Sequence, residues 1–84
     1  MRKKTDEPYH YVTHDLNVAA VIITLGHDLD HLEKSDEGRA QFHFVTSPTI
    51  VDIVRKYWRQ ELKINPHRLW ENWKFLKSRI HGDV

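Results

Sequence analysis

The residues best able to do chemistry are seven histidines in a chain of 84 residues, several of them beside aspartates. His27 and His31, with Asp28 and Asp30 between them, have the four-residue step that places two imidazoles on one face of a helix. On a strand the same step spans about 13 Å, too far for one ion to bridge. The segment reads better as a strand, so the pair is not expected to hold a metal. His43 can join one of the two across a hairpin, but a solvated histidine on a polar strand face is the commoner arrangement. No metal and no cofactor is therefore assigned.

Catalytic groups are equally thin. His14-Asp15 and His27-Asp28 match the dipeptide of the metal phosphohydrolases named for it, yet those are larger all-helical domains with several separated His and Asp ligands. Ser35, Ser47 and Ser78 fall in a loop, a helix cap and a surface helix position, without a base to activate them. No catalytic residue is assigned, and the expectation is a protein that is not an enzyme.

Charge and aromatic content carry more. Between Asp15 and Val45 six acidic residues face two basic ones, whereas between Val51 and Val84 eight basic residues face four acidic ones. The basic half interleaves cations with aromatics. Arg55, Lys56, Arg59, Lys74 and Lys77 can neutralise phosphates, and exposed rings can stack on unpaired bases, so DNA or RNA is one class of partner. The same cations are also usual on a solvated helix face, and no nucleic-acid fingerprint is present. Three tryptophans are more than a small core readily hides. Trp58, Trp70 and Phe75 lie beside the apolar stripes of their segments, and tryptophan with arginine is the usual anchor of a protein interface. A protein partner or self-association is the other class. The Asp36-Glu37 pair offers a further acidic patch, able to mimic nucleic acid toward a basic target.

The elements that must position these residues follow from caps and periodicity. Residues 1–12 are polar and basic and contain Pro8, which predicts a flexible arm ahead of a single domain over 13–82. Thr13 is the expected cap of a first helix with Asp15 in its first turn, and Gly26 stands at a left-handed C-terminal cap. Leu16, Ala19, Ala20 and Ile23 keep helical spacing, and the helix is apolar on most faces, so it should lie at the centre. The β-branched run from Val21 to Thr24 supports the rival strand, but the two caps and Ala19-Ala20 favour helix. Residues 27–33 and 39–45 read as a hairpin about the loop from Lys34 to Gly38, with Ala40, Phe42 and Phe44 on its core face. Ser47-Pro48 and Asn65-Pro66 each open a helix. Ile50, Ile53, Val54 and Tyr57 form one stripe; Leu69, Trp73, Leu76 and Ile80 form the other. The predicted fold is α+β in the order α-β-β-α-α, a two-stranded antiparallel hairpin packed with three helices.

The run from Thr13 to Ala20 ending at Leu25-Gly26-His27, the strand with Phe42 and Phe44, Tyr57-Trp58 at the end of the middle helix, and Asn65-Pro66 resemble an uncharacterised family of short bacterial and phage domains. The resemblance covers about residues 13–80. It implies a small phage or mobile-element accessory protein and carries no activity or functional residue. The longest apolar run, Val18 to Leu25, is too short to span a bilayer, and the first residues lack a signal peptide's apolar stretch. A cytoplasmic location without membrane association is expected.

Overall fold

A computed structural model describes residues 10–35 and 37–82. The elements run β1 (His10–Thr13), α1 (Leu16–Thr24), β2 (His31–Lys34), β3 (Ala40–Val45), α2 (Pro48–Trp58) and α3 (Pro66–Gly82). The class is α+β, as the sequence predicts, but the sheet has three strands in the order β1-β3-β2 rather than two. The added strand comes from His10–Thr13, which overlaps the segment predicted to be an arm; residues 1–9 lie outside the described residues. It pairs antiparallel with β3, His10 opposite Val45 and Thr13 opposite Phe42. An unpaired β3 edge presents free N–H and C=O groups, and β1 satisfies them.

β1 also moves the start of α1. Thr13 ends the strand, and its Oγ1 accepts from the Asp15 amide at 3.1 Å. The cap is Asp15 itself, whose Oδ1 accepts from the amides of Asn17 at 2.8 Å and Val18 at 3.1 Å. The helix closes as expected at Gly26, with φ of 106°. The Gly26 amide donates to Ile23 and the His27 amide to Ile22, the paired bonds of a Schellman motif. Between these ends Val18, Ala19, Ala20, Val21 and Ile22 are all buried. Five consecutive buried residues cover every direction around a helix, so α1 must be enclosed.

It is enclosed by the sheet and the other two helices. Phe42 and Phe44 from β3, Ile50 and Ile53 from α2 and Leu76 from α3 complete the buried cluster. Ser47 caps α2 by accepting from the Ile50 amide, and Asn65 Oδ1 accepts from the Arg68 amide at the start of α3. Asn72 on α3 donates to Thr24 Oγ1 at 2.8 Å, while that hydroxyl donates to the Ala20 carbonyl at 2.7 Å. This chain of bonds ties α3 to the end of α1. At the end of α2, Gln60 takes a left-handed φ of 60°, and the Gln60 and Glu61 amides reach back to Tyr57 and Lys56.

Two substitutions test these ends by urea unfolding. Asp15→Ala should lower stability by about 1 kcal/mol through loss of the cap. Gln60→Gly should raise it by roughly 0.5–1 kcal/mol, because only the left-handed backbone changes cost.

Candidate functional site

Packing α2 and α3 against α1 leaves a groove between them. Its volume is about 460 Å³, and Asn17, Val21, Tyr57, Pro66, Leu69, Trp70 and Trp73 line it. Apart from Asn17 and the Tyr57 hydroxyl, the side chains are apolar. Trp73 belongs to the core-facing stripe of α3 and is partly buried; Trp70 stacks on it at 5.1 Å between ring centroids, 11° from parallel, and remains 52% exposed. Trp58 stands edge-on to Tyr57 at 4.9 Å and is 63% exposed. Of the three predicted interface aromatics, Trp70 thus lines the apolar groove and Trp58 touches its Tyr57 wall from outside the lining. Phe75 does not join them: it is half-exposed on another flank of α3, in a hollow with Ile23, Leu29 and Arg79.

The five predicted phosphate-binding cations have other partners. Arg55 and Lys56 both reach Asp52, at 3.2 and 3.3 Å, and Arg59 reaches Glu61 at 3.4 Å. Lys74 lies 3.5 Å from Glu71 and 5.7 Å from the Trp70 ring centroid; Lys77 lies 5.0 Å from that of Trp73. Each of these exposed ion pairs is weak. Together, however, they place a carboxylate beside four of the five cations, which lowers the field a phosphate backbone would meet.

Chemistry-bearing groups elsewhere are mostly structural. His14 Nδ1 donates to the Ala40 carbonyl and Asp15 caps α1, so that His-Asp pair ties the start of α1 to β3. Ser35 Oγ accepts from the amides of Glu37 and Arg39, holding the hairpin turn, and Ser47 caps α2. Asp36 lies outside the described residues.

The outer face of the sheet holds the cross-hairpin histidine pairing that the sequence allows but does not favour. His31 lies directly opposite His43 in the β2–β3 ladder, and their rings stack at 4.2 Å. Glu33 reaches both, 3.2 Å from His31 Nε2 and 3.3 Å from His43 Nε2. The hydrogen bond that His31 Nδ1 donates to Asp30 at 2.7 Å is the main reason His31 takes up a proton above the usual histidine range; burial opposes this, and Glu33 adds to it.

A profile describing a domain of unknown function (DUF5659) matches residues 9–82. The chain belongs to the DUF5659 family. The match includes β1, which agrees with the third strand being part of the domain rather than an appendage. No curated protein and no solved structure matches the chain. Membership in DUF5659 therefore gives the domain its extent and leaves function to the surfaces just described. Among the described residues, no helix is long and apolar enough to cross a membrane.

The stacked tryptophans should separate in their effects on thermal or urea unfolding. Trp73→Ala should cost about 2–4 kcal/mol by opening the core edge. Trp70→Ala should cost less than about 1 kcal/mol, since half of its surface already faces solvent.

Proposed function

We propose that the chain acts by binding protein through the α1–α2–α3 groove, without catalysis, as a small cytoplasmic accessory protein of a phage or mobile element. One observation carries the reading: Trp70, half-exposed, stands on the wall of an apolar groove of about 460 Å³. An aromatic left in water beside an apolar hollow is a surface that gains from being covered. The phage or mobile-element setting rests on the resemblance of the caps and core residues to short bacterial and phage domains.

A second copy of the chain is the partner that fits best. The same patch carries a projection, Trp70, and a recess, the groove beside it, so two copies related by a two-fold axis can each fill the other. A domain of this size also has little core of its own, and dimerisation is a common remedy. The serines that open the catalytic alternative are engaged in turn and cap bonds at Ser35 and Ser47. The nucleic-acid alternative has less support, because carboxylates stand beside Arg55, Lys56, Arg59 and Lys74.

Sedimentation velocity over a dilution series tests this. The wild-type chain should pass from monomer to dimer with rising concentration. Trp70→Ala should weaken the dimer by about tenfold or more, and Phe75→Ala, on another flank of α3, should leave it unchanged. A chain that stays monomeric at its highest soluble concentration would remove the second copy as occupant. Oligonucleotide binding in fluorescence anisotropy that weakens steeply with salt would move the function to the cations instead.

A further inference from the structure

The outer face of the sheet gathers donors for which the protein-binding reading has no use. Alternation along β3 sets them there: Phe42 and Phe44 enter the core, so His43 between them points the other way. Register then brings His31 opposite His43, and Glu33, two residues along β2, falls on the same face. The Asp30 amide donates to the His43 carbonyl at 2.7 Å, extending the ladder and seating the Asp30 carboxylate beside His31.

Three features distinguish this cluster from solvated surface histidines. First, Asp30 accepts from His31 Nδ1 at 2.7 Å, which directs Nε2 at Glu33 Oε2, 3.2 Å away, where a bound ion would take the place of the Nε2 proton. That is the carboxylate–histidine arrangement that fixes the tautomer of a metal ligand. Second, the His43 side chain is only 14% exposed, and its Nε2 is closed to solvent without a hydrogen-bond partner. Glu33 Oε1 is 3.3 Å away but not aligned to accept a proton from it. Third, one donor atom from each of His31, Glu33 and His43 lies within 4.8 Å of the others. Two imidazole nitrogens and a carboxylate thus converge on one centre that a single cation can occupy in place of ring protons.

The geometry points to a divalent cation site of the zinc class, held by His31 Nε2, His43 Nε2 and a Glu33 carboxylate oxygen. Ligand bonds of about 2.0–2.1 Å in a tetrahedral site hold donor atoms roughly 3.4 Å apart. Glu33 already stands at that spacing from each ring through a different oxygen, Oε2 at 3.2 Å from His31 Nε2 and Oε1 at 3.3 Å from His43 Nε2. With all three donor atoms within 4.8 Å of one another, no gap in the set must close by more than about 1.4 Å to reach that spacing. Two imidazoles with one carboxylate suit zinc, nickel or copper, and not magnesium or calcium, which want oxygen. Three protein donors leave a fourth position for water. His10, whose ring lies 6.4 Å from His31 and 6.3 Å from His43, is the nearest further imidazole. The neighbouring cation, Arg79, lies 5.9 Å from the Phe75 ring centroid and lines a hollow with Asp28, Asp30 and His31. A bound ion would clip the β2 edge to the central strand and bind only the folded sheet.

The test uses the untagged chain, stripped with chelator and titrated with zinc chloride, with magnesium chloride as the control. Calorimetry should show saturable zinc binding at one site, and magnesium should give none. Imidazole nitrogen NMR should show coordination at Nε2 of both His31 and His43. Glu33→Gln, at an exposed edge position where the fold does not depend on it, should lower zinc affinity about tenfold or more, and Asp30→Asn should lower it about 10–100-fold by releasing His31. His31→Asn should do the same as Glu33→Gln. No saturable binding of zinc would overturn the proposal. So would binding that survives Glu33→Gln and His31→Asn together, or that perturbs His27, His67 or His81 in place of the outer-face pair.

Discussion

The structure depends on enclosing α1. A helix whose residues Val18 to Ile22 are buried one after another has no face to give to water. A single neighbour covers about one stripe of a helix, so one packing partner would leave apolar surface exposed on the others. The sheet, α2 and α3 each supply a wall, and the Ala19-Ala20 pair permits close approach where larger side chains would hold the walls apart. The Asn72–Thr24 bond then fixes α3 along α1 by a contact 48 residues apart in the chain. The groove is a consequence of the same arrangement. Two helices that both lean on α1 cannot also close on each other along their whole length, and Tyr57, Leu69 and Trp73 line the gap that remains.

Strand β3 solves a second constraint with the simplest periodicity available. Its two phenylalanines fill the core, and the residue between them is necessarily carried to the opposite face. Burial of Phe42 and Phe44 therefore sets where His43 must be. The metal-binding proposal rests on this coupling: a one-residue slip of β2 against β3 would turn Leu32 out of the core and His31 into it. The apolar side of the sheet thereby enforces the register of the polar side.

Elements whose signals are local were legible in the sequence. Ser47-Pro48, Asn65-Pro66 and Gly26 act through bonds within a few residues, and all three stand where their types predict. The Phe42/Phe44 face was legible because alternation needs no knowledge of the partner strand. β1 was not. His10–Thr13 is four residues, half-polar, and becomes a strand only through pairing with residues some thirty positions away. That pairing also explains the misplaced cap, since Thr13 is used to end β1 and Asp15 inherits the first turn of α1. The sequence offered His43 as a partner for His27 or His31 and set the pairing aside as the rarer arrangement, because the choice rests on register. A loop from Lys34 to Gly38 pairs Glu33 with Arg39, and counting outward sets His43 against Leu29. In the structure Lys34 pairs with Ala40, which brings His43 to His31. A shift of one residue at the turn on each strand decides whether the imidazoles meet. The cations failed to form a free face for a different reason: helical spacing of three and four residues sets Asp52 beside Arg55 and Lys56, and Glu71 beside Lys74. Counting charges by sequence segment does not register such pairing.

The groove and the histidine cluster are linked by the small size of the core. Ten buried hydrophobic residues among those described are a modest store of stabilisation for a domain that lacks cysteine. Such a domain gains in proportion from any ligand that binds the folded state alone, by RT ln(1 + [L]/Kd), about 2.7 kcal/mol when the ligand stands at 100 times its dissociation constant. A second copy covering Trp70 and an ion joining β2 to β3 both meet that condition, because neither the groove nor the cross-strand pair exists in the unfolded chain. They act on different parts of the fold. A second copy would cover the helical layer around α1. A bound ion would secure β2, a four-residue edge strand held by β3 on one side and by the Lys34 bond to the Ile80 carbonyl of α3. Edge strands open first when a small sheet loosens. The two ligands should therefore be separable by amide exchange: zinc should slow exchange in β2 and β3 ahead of the helices, and dimer formation should slow it first at the groove walls of α2 and α3.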